Sequence, residues 1–169
     1  MRILLILFLI FSPVQVSKAT GMFKNFFSKK CKEKPFHECI GTEIDPKSFE
    51  IYEGEWLNGK KHGKGEINTP TGHVHKVYYN NGKLHGPFES ISPAGLIWRG
   101  TYIEGSLEGN WIKIHKSGEI TEMTYENNRL VGIMKVIKPS GHQIYYNCDK
   151  AKKQKDGRYI CPFDSQNTR

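Results

Sequence analysis

Tyr52, Gly54 and Trp56 alternate with Glu53 and Glu55. Side chains of a strand point alternately to its two faces, so this stretch predicts a strand with one aromatic and one acidic face. Asn58-Gly59 and Gly63 follow, and then "KGEIN" (64–68) predicts a second strand. A helix is excluded here, because each interior glycine would cost about 1 kcal/mol relative to alanine. Gly59 and Gly63 are expected to bound one loop, centred near residues 61 and 62, which sets Trp56 opposite Ile67. "PTG" (70–72) then predicts a turn, with proline at its first corner and glycine at its exit.

The pattern recurs every 23 residues. Gly59 leads to Gly82, Gly105 and Asn128; Gly63 to Gly86, Gly109 and Gly132; Gly72 to Gly95, Gly118 and Gly141. Trp56 leads to Tyr79, Tyr102 and Tyr125, and Leu84 to Leu107 and Leu130. The units are 52–74, 75–97, 98–120 and 121–143, with a partial copy at 144–163 in which Gly157 takes the place of Gly63. Each unit reads as strand, loop, strand, turn, and the array as a continuous antiparallel meander. Trp56, Tyr79, Tyr102 and Tyr125 are expected to stack as a ladder. Phe88, Trp111 and Met134 form a second column, and Ile91, Ile114 and Ile137 a third, and these ladders are expected to make the core. Glycines of the first strand are expected to make room for a ring from the next unit.

The two ends read differently. Residues 1–19 carry one early positive charge, an apolar run from Ile3 to Phe11, and small residues at Ser17 and Ala19. This predicts a signal peptide cleaved after Ala19, since the run is about half of the ~20 residues a spanning helix needs. Residues 20–50 predict a basic cap segment, helical or irregular, and 164–169 a tail. Within the cap, Met22, Phe23, Phe26 and Phe27 fall on one helical stripe beside Lys24, Lys29 and Lys30. One reading is a cover for the first strand of the sheet. The other is an amphipathic helix lying on an anionic membrane.

Lysine and arginine outnumber aspartate and glutamate 25 to 17, and the excess lies at the two ends. We read it as a solvated surface, and no nucleic acid is expected as a partner. All four cysteines, Cys31, Cys39, Cys148 and Cys161, follow the leader, and an even count in an exported chain predicts disulfides; three pairings are possible. No catalytic motif occurs, so the protein is expected not to be an enzyme and to need no cofactor. His62 and His85 share a repeat column, which makes them loop residues. His73 and His75 alternate on one face but lack supporting metal ligands at a useful spacing, so no metal site is expected.

"YEGEWLNGKKHGKGEINTPTG" resembles the MORN repeat, in Tyr52, Gly54, Trp56, Gly59, His62, Gly63 and Gly65. The second copy is similar to the looser bacterial variant found in antitoxin-like proteins. Glu108 and Val131 depart from the histidine of the motif, and Asn128 from its glycine. The resemblance implies an all-β fold, a single elongated antiparallel meander sheet over 51–163. It implies scaffolding or protein contact as the function, with membrane association in some members. On the repeat pattern, Cys148 takes the Trp56 column and Cys161 the Ile67 column, which suggests a Cys148–Cys161 bridge across the last hairpin and leaves Cys31 with Cys39. The sequence reads as an exported, non-catalytic binding or scaffolding module that engages a protein through a sheet face or edge. Binding of anionic membrane through 21–34 and an antitoxin-like role are the alternatives.

Overall fold

A computed structural model describes residues 30–34, 36–155 and 159–165. Ten strands follow one another across a single open sheet: β1 (Cys39–Ile44), β2 (Ile51–Leu57), β3 (Lys60–Asn68), β4 (Val74–Asn80), then, beyond the two-residue β5 (Lys83–Leu84), β6 (Gly86–Ile91), β7 (Ile97–Ile103), β8 (Ser106–Ile114), β9 (Ile120–Glu126), β10 (Arg129–Ile137) and β11 (Gln143–Asn147). The order along the sheet is the order in the chain, β5 pairs only with β4, and every ladder is antiparallel. The chain then makes a 3-10 turn at Cys148–Lys150 and a separate ladder of β12 (Lys152–Lys153) with β13 (Tyr159–Ile160). Among the described residues there is no α-helix. Gly157 and residues 20–29, with Met22, Phe23, Phe26, Phe27 and Lys29, lie outside the described residues, as does the expected leader.

The hairpins are tighter than the spacing of the glycines suggests. Asn58 and Gly59 both have positive φ, 51° and 73°, and so do their mates Asn81-Gly82, Glu104-Gly105 and Asn127-Asn128. Two central residues of this kind make a two-residue hairpin whose twist matches that of the flanking strands. Trp56 therefore pairs with Lys61, and it is Tyr52 that pairs with Ile67. Gly63 does not close the loop. It lies inside β3, where the register shifts between Gly54 and Trp56, and it sits opposite Tyr79 of the next unit. Gly86 and Gly109 lie opposite Tyr102 and Tyr125 in the same way. The second turn of each unit matches its expectation: the N–H of Gly72 donates to the Thr69 carbonyl at 2.9 Å, and Gly95, Gly118 and Gly141 repeat the bond.

Consecutive units are fastened through their turns. The N–H groups of Gly59, Gly82, Gly105 and Asn128 donate to the carbonyls of Phe36, Lys61, Leu84 and Leu107 at 2.6–3.1 Å. One residue earlier, Asn58 and Asn81 donate their N–H to Nδ1 of His37 and His62 at 3.2 and 3.5 Å, and Nδ1 of His85 meets both the Glu104 N–H at 3.5 Å and its carboxylate at 3.2 Å. In the third copy Asn127 donates to the Glu108 carboxylate at 2.9 Å. An unprotonated imidazole nitrogen and a carboxylate are both acceptors, so the departure at Glu108 keeps the bond.

The core lies on the face that carries Tyr52 and Trp56. The Tyr52 ring lies over Gly54 and Gly65: a Cβ at either position would meet it at 2.3 Å. In the third unit Trp111 lies over Gly100, where a Cβ would meet Cδ2 at 2.0 Å. The ring over the glycine thus comes from the same unit, not from the next, because a side chain leaning along or across its own hairpin reaches the gap first. The ladder column does not stack on itself either. Trp56 reaches Tyr79 through Tyr52, at 5.5 Å and 5.5 Å between centroids. Tyr102 reaches Tyr125 through Trp111, at 5.4 and 6.1 Å.

Gly100→Ala is expected to cost about 1–3 kcal/mol through overpacking against the indole. In a Trp111→Phe background the added cost should shrink, giving a coupling of about 0.5 kcal/mol or more. Urea unfolding of the double-mutant cycle measures this, and strict additivity would show that the indole is not what the new methyl meets.

Candidate binding faces

On the core face the rings run out from the buried line into a groove. His73 stacks on His75 at 6.1 Å and His75 on Phe88 at 5.8 Å. Phe88 lies 5.7 Å from Trp111, and Trp98 lies 6.1 Å from Trp111 on the other side. The groove is about 340 Å³ and is lined by His73, Phe88, Trp98, Tyr102 and Trp111 with the hydroxyl-bearing Ser90 and Ser92. Trp98, Tyr102 and Phe88 are half-buried, whereas Trp111 is 1% exposed. The Lys113 ammonium stands 5.6 Å from the Trp98 ring, where the negative face of the indole attracts it. Burial, and then the charge of neighbouring His73, holds the His75 imidazole below its ordinary range.

The other face is laid out in two rows. Register pairs Ile44 with Ile51, and runs from Val74 through Ile91, Ile97, Ile114 and Ile120 to Ile137. Only Asn68, between Ile51 and Val74, interrupts this aliphatic line before it ends at Gln143. None of these side chains is buried, and Ile44 and Ile51 are 60% and 40% exposed. Beside it, from β2 to β10, runs a row that is charged at every position but Ile112: Glu53, Glu66, Lys76, Glu89, Arg99, Ile112, Glu122, Lys135, with Thr42 on β1 and Tyr145 on β11 at its ends. Lys76 and Arg99 flank Glu89 at 3.0 and 2.6 Å, and hydrogen bonds from both hold its carboxyl below the usual range.

The free edges of the sheet are partly covered. Lys30 bridges Ile40 of β1, and the Cys31 N–H donates to the Ile40 carbonyl at 2.9 Å. At the far edge Tyr146 bridges Phe163, the Asn147 N–H donates to the Pro162 carbonyl at 2.9 Å, and that of Asp164 to the Tyr145 carbonyl at 2.8 Å. Disulfides anchor both covering segments, Cys31 to Cys39 and Cys148 to Cys161.

Residues 52–74 match the model of the MORN repeat. The chain carries a MORN repeat. No curated protein matches the chain. The MORN residues now have structural reasons. Gly54 and Gly65 admit the Tyr52 ring, Asn58-Gly59 makes the turn, and His62 accepts the N–H of the next turn. Trp56, 5% exposed, donates its indole N–H to the Gly41 carbonyl at 3.1 Å, so it belongs to the core and not to a contact surface. Tyr79, Tyr102 and Tyr125 remain half-buried, and of these Tyr102 lines the groove. Of the basic–aromatic set, only Lys30 is described, exposed at the edge of β1. His73 and His75 stack face to face, and among the described residues no three His, Cys, Asp or Glu side chains gather as metal ligands. Trp98 was not singled out from the sequence. Its column, Tyr52, His75, Trp98, Thr121 and Ile144, carries the signal, in three large rings on successive units.

His75 takes up a proton less readily in the fold than in the unfolded chain, so it contributes stability above its ordinary pKa that is lost as pH falls below about 6.5. His75→Phe is expected to flatten the pH dependence of Tm between about pH 6.5 and 5, leaving the later acid loss from Glu43 and Glu89 in place. Calorimetry across that range checks it; an unchanged slope would place the titration elsewhere.

Proposed function

We propose that the protein is a non-catalytic binding module that engages a protein partner through the aromatic groove on the core face. The observation that carries this reading is the run of half-buried rings, Phe88, Trp98 and Tyr102, beside the hydroxyls of Ser90 and Ser92. Large rigid rings with a polar rim supply contact area at low entropic cost, and aromatic residues are enriched at the energetic centres of protein interfaces. The edges support the face over strand addition, because Lys30–Cys31 and Pro162–Asp164 already occupy part of the hydrogen-bonding positions there. Two disulfides suit an oxidising compartment, and together with the leader expected over residues 1–19 they support reading the protein as exported.

A photo-crosslinking amino acid in place of Ser90 is expected to trap a second protein in the cells that make this one. Trp98→Ala should weaken that capture by about thirtyfold, the cost of losing one anchor ring, about 2 kcal/mol. Adducts that form equally well without the Trp98 ring would rule out the groove as the contact.

A further inference from the structure

A one-layer sheet has two faces, and the groove uses only one. The opposite face carries an aliphatic line through nearly every strand, unlike the isolated exposed isoleucines of an ordinary surface. Strands stand about 4.8 Å apart, so ten of them make a line about 43 Å long. On its own that stripe is too narrow for a stable interface. Taken together with the charged row it makes a band about 15 Å wide, which offers about 1,300 Å² in total between two copies, within the ordinary range for specific association.

We propose that this face is the interface between two copies of the chain, packed sheet on sheet about a two-fold axis parallel to the strands and passing between β6 and β7. The charges commit the surface to a second copy. Under that axis each strand faces the one equally far from the opposite end. Glu89 on β6 meets Arg99 on β7 of the other copy, and Arg99 meets its Glu89. Glu53 on β2 meets Lys135 on β10 of the other copy, again twice over. Within its own chain Glu53 has Thr42 and Glu66 as its directly opposed cross-strand neighbours, and the second copy sets a cation opposite it. Glu66 meets Glu122 with Lys76 and Lys135 on the strands next to them, and Lys76 meets the aliphatic Ile112. Four pairings of opposite charge outweigh two of like charge, and the aliphatic lines close on each other beside them. Sheets packed in this way lie about 10 Å apart and interdigitate their side chains. The dimer would turn its two aromatic grooves outward, making a bivalent module whose avidity exceeds the affinity of either groove.

Sedimentation equilibrium of the protein purified from the cells that make it is expected to show a dimer below about 100 µM. Ile97→Lys with Ile114→Lys should weaken association at least tenfold. Because those lysines also touch the sheet, charge reversal decides the register. Glu53→Lys alone and Lys135→Glu alone should each weaken the dimer about fivefold or more, and the two together should restore it. A monomer at every concentration, a dimer indifferent to Ile97→Lys with Ile114→Lys, or reversal without rescue would each overturn the proposal. So would a monomer that binds anionic vesicles through Ile97 and Ile114. Loss of the dimer leaves the groove intact, so partner capture at Ser90 reports on the proposed function separately.

Discussion

Tyr52 lies flat over Gly54 and Gly65, and Trp111 over Gly100. A sheet without a second layer has nothing to pack against, so it must bury apolar surface with its own side chains, laid across the strands instead of standing off them. That is possible only where the strand beneath has no Cβ. The glycines are therefore matched to large rings. The first unit carries glycine at both 54 and 65, and a tyrosine from position 52 fills the gap. The third keeps glycine at 100 and fills it with the tryptophan that stands in the column of Gly65. The second unit has Val77 and Phe88 at these columns, and the fourth Met123 and Met134, which fill the same space without any glycine. What repeats every 23 residues is a volume shared between two strands, and the identity of the residue that supplies it changes from unit to unit.

The same holds for the polar fastening between units. His37, His62 and Glu108 have one common property, an acceptor aimed at the backbone N–H of the following turn, while His85 meets both the N–H and the carboxylate of that turn. His37 lies outside the repeats, yet with the Phe36 carbonyl it treats the first turn as Lys61 and His62 treat the second. The segment before β1 thus supplies the half-unit the first repeat would otherwise lack. In the fourth copy Val131 replaces the acceptor and is buried instead, and the following fastener runs the other way, with the Gly132 N–H donating to the Asp149 carboxylate at 2.9 Å.

The all-β meander and its period were legible in the sequence because turn glycines and a single ring column recur in phase. Hairpin geometry was less so. Gly59 and Gly63 look alike as letters, but one is the second residue of a tight turn and the other a strand residue facing the tyrosine of the next unit. Two in-phase glycines mark two positive φ angles without saying which lies at the bend. That is why the loop was expected near 61 and 62, and why Trp56 was set opposite Ile67. The groove was legible in part: Phe88 and Trp111 stood in one column, while Trp98 sat in a column whose chemistry changes from phenol to imidazole to indole. Ile91, Ile114 and Ile137 were expected as a core ladder, yet they stand an odd number of residues from the Phe88 column and so form the aliphatic line of the far face. Its other half, Ile97 and Ile120, emerges only when register shows that the second strand of one unit and the first strand of the next place their end residues side by side.

Register also explains why the two disulfides sit where they do. Cys39 pairs with Trp56, and Cys148 follows Tyr125 by one repeat length, so the cysteines stand at the two ends of the column Trp56, Tyr79, Tyr102, Tyr125. Both are 3% exposed. The expected pairing is found although Trp56 faces Lys61 and not Ile67. Tyr146 bridges Phe163, and stepping two residues along that ladder sets Cys148 beside Cys161. An aromatic column that is buried by its neighbours on each side has no neighbour at its ends, and a repeat array frays from there. A disulfide suits that position better than another ring. It fills the end of the column with sulfur and ties the covering segment to the strand it covers, removing conformations from the unfolded chain where no further unit is available to bury them.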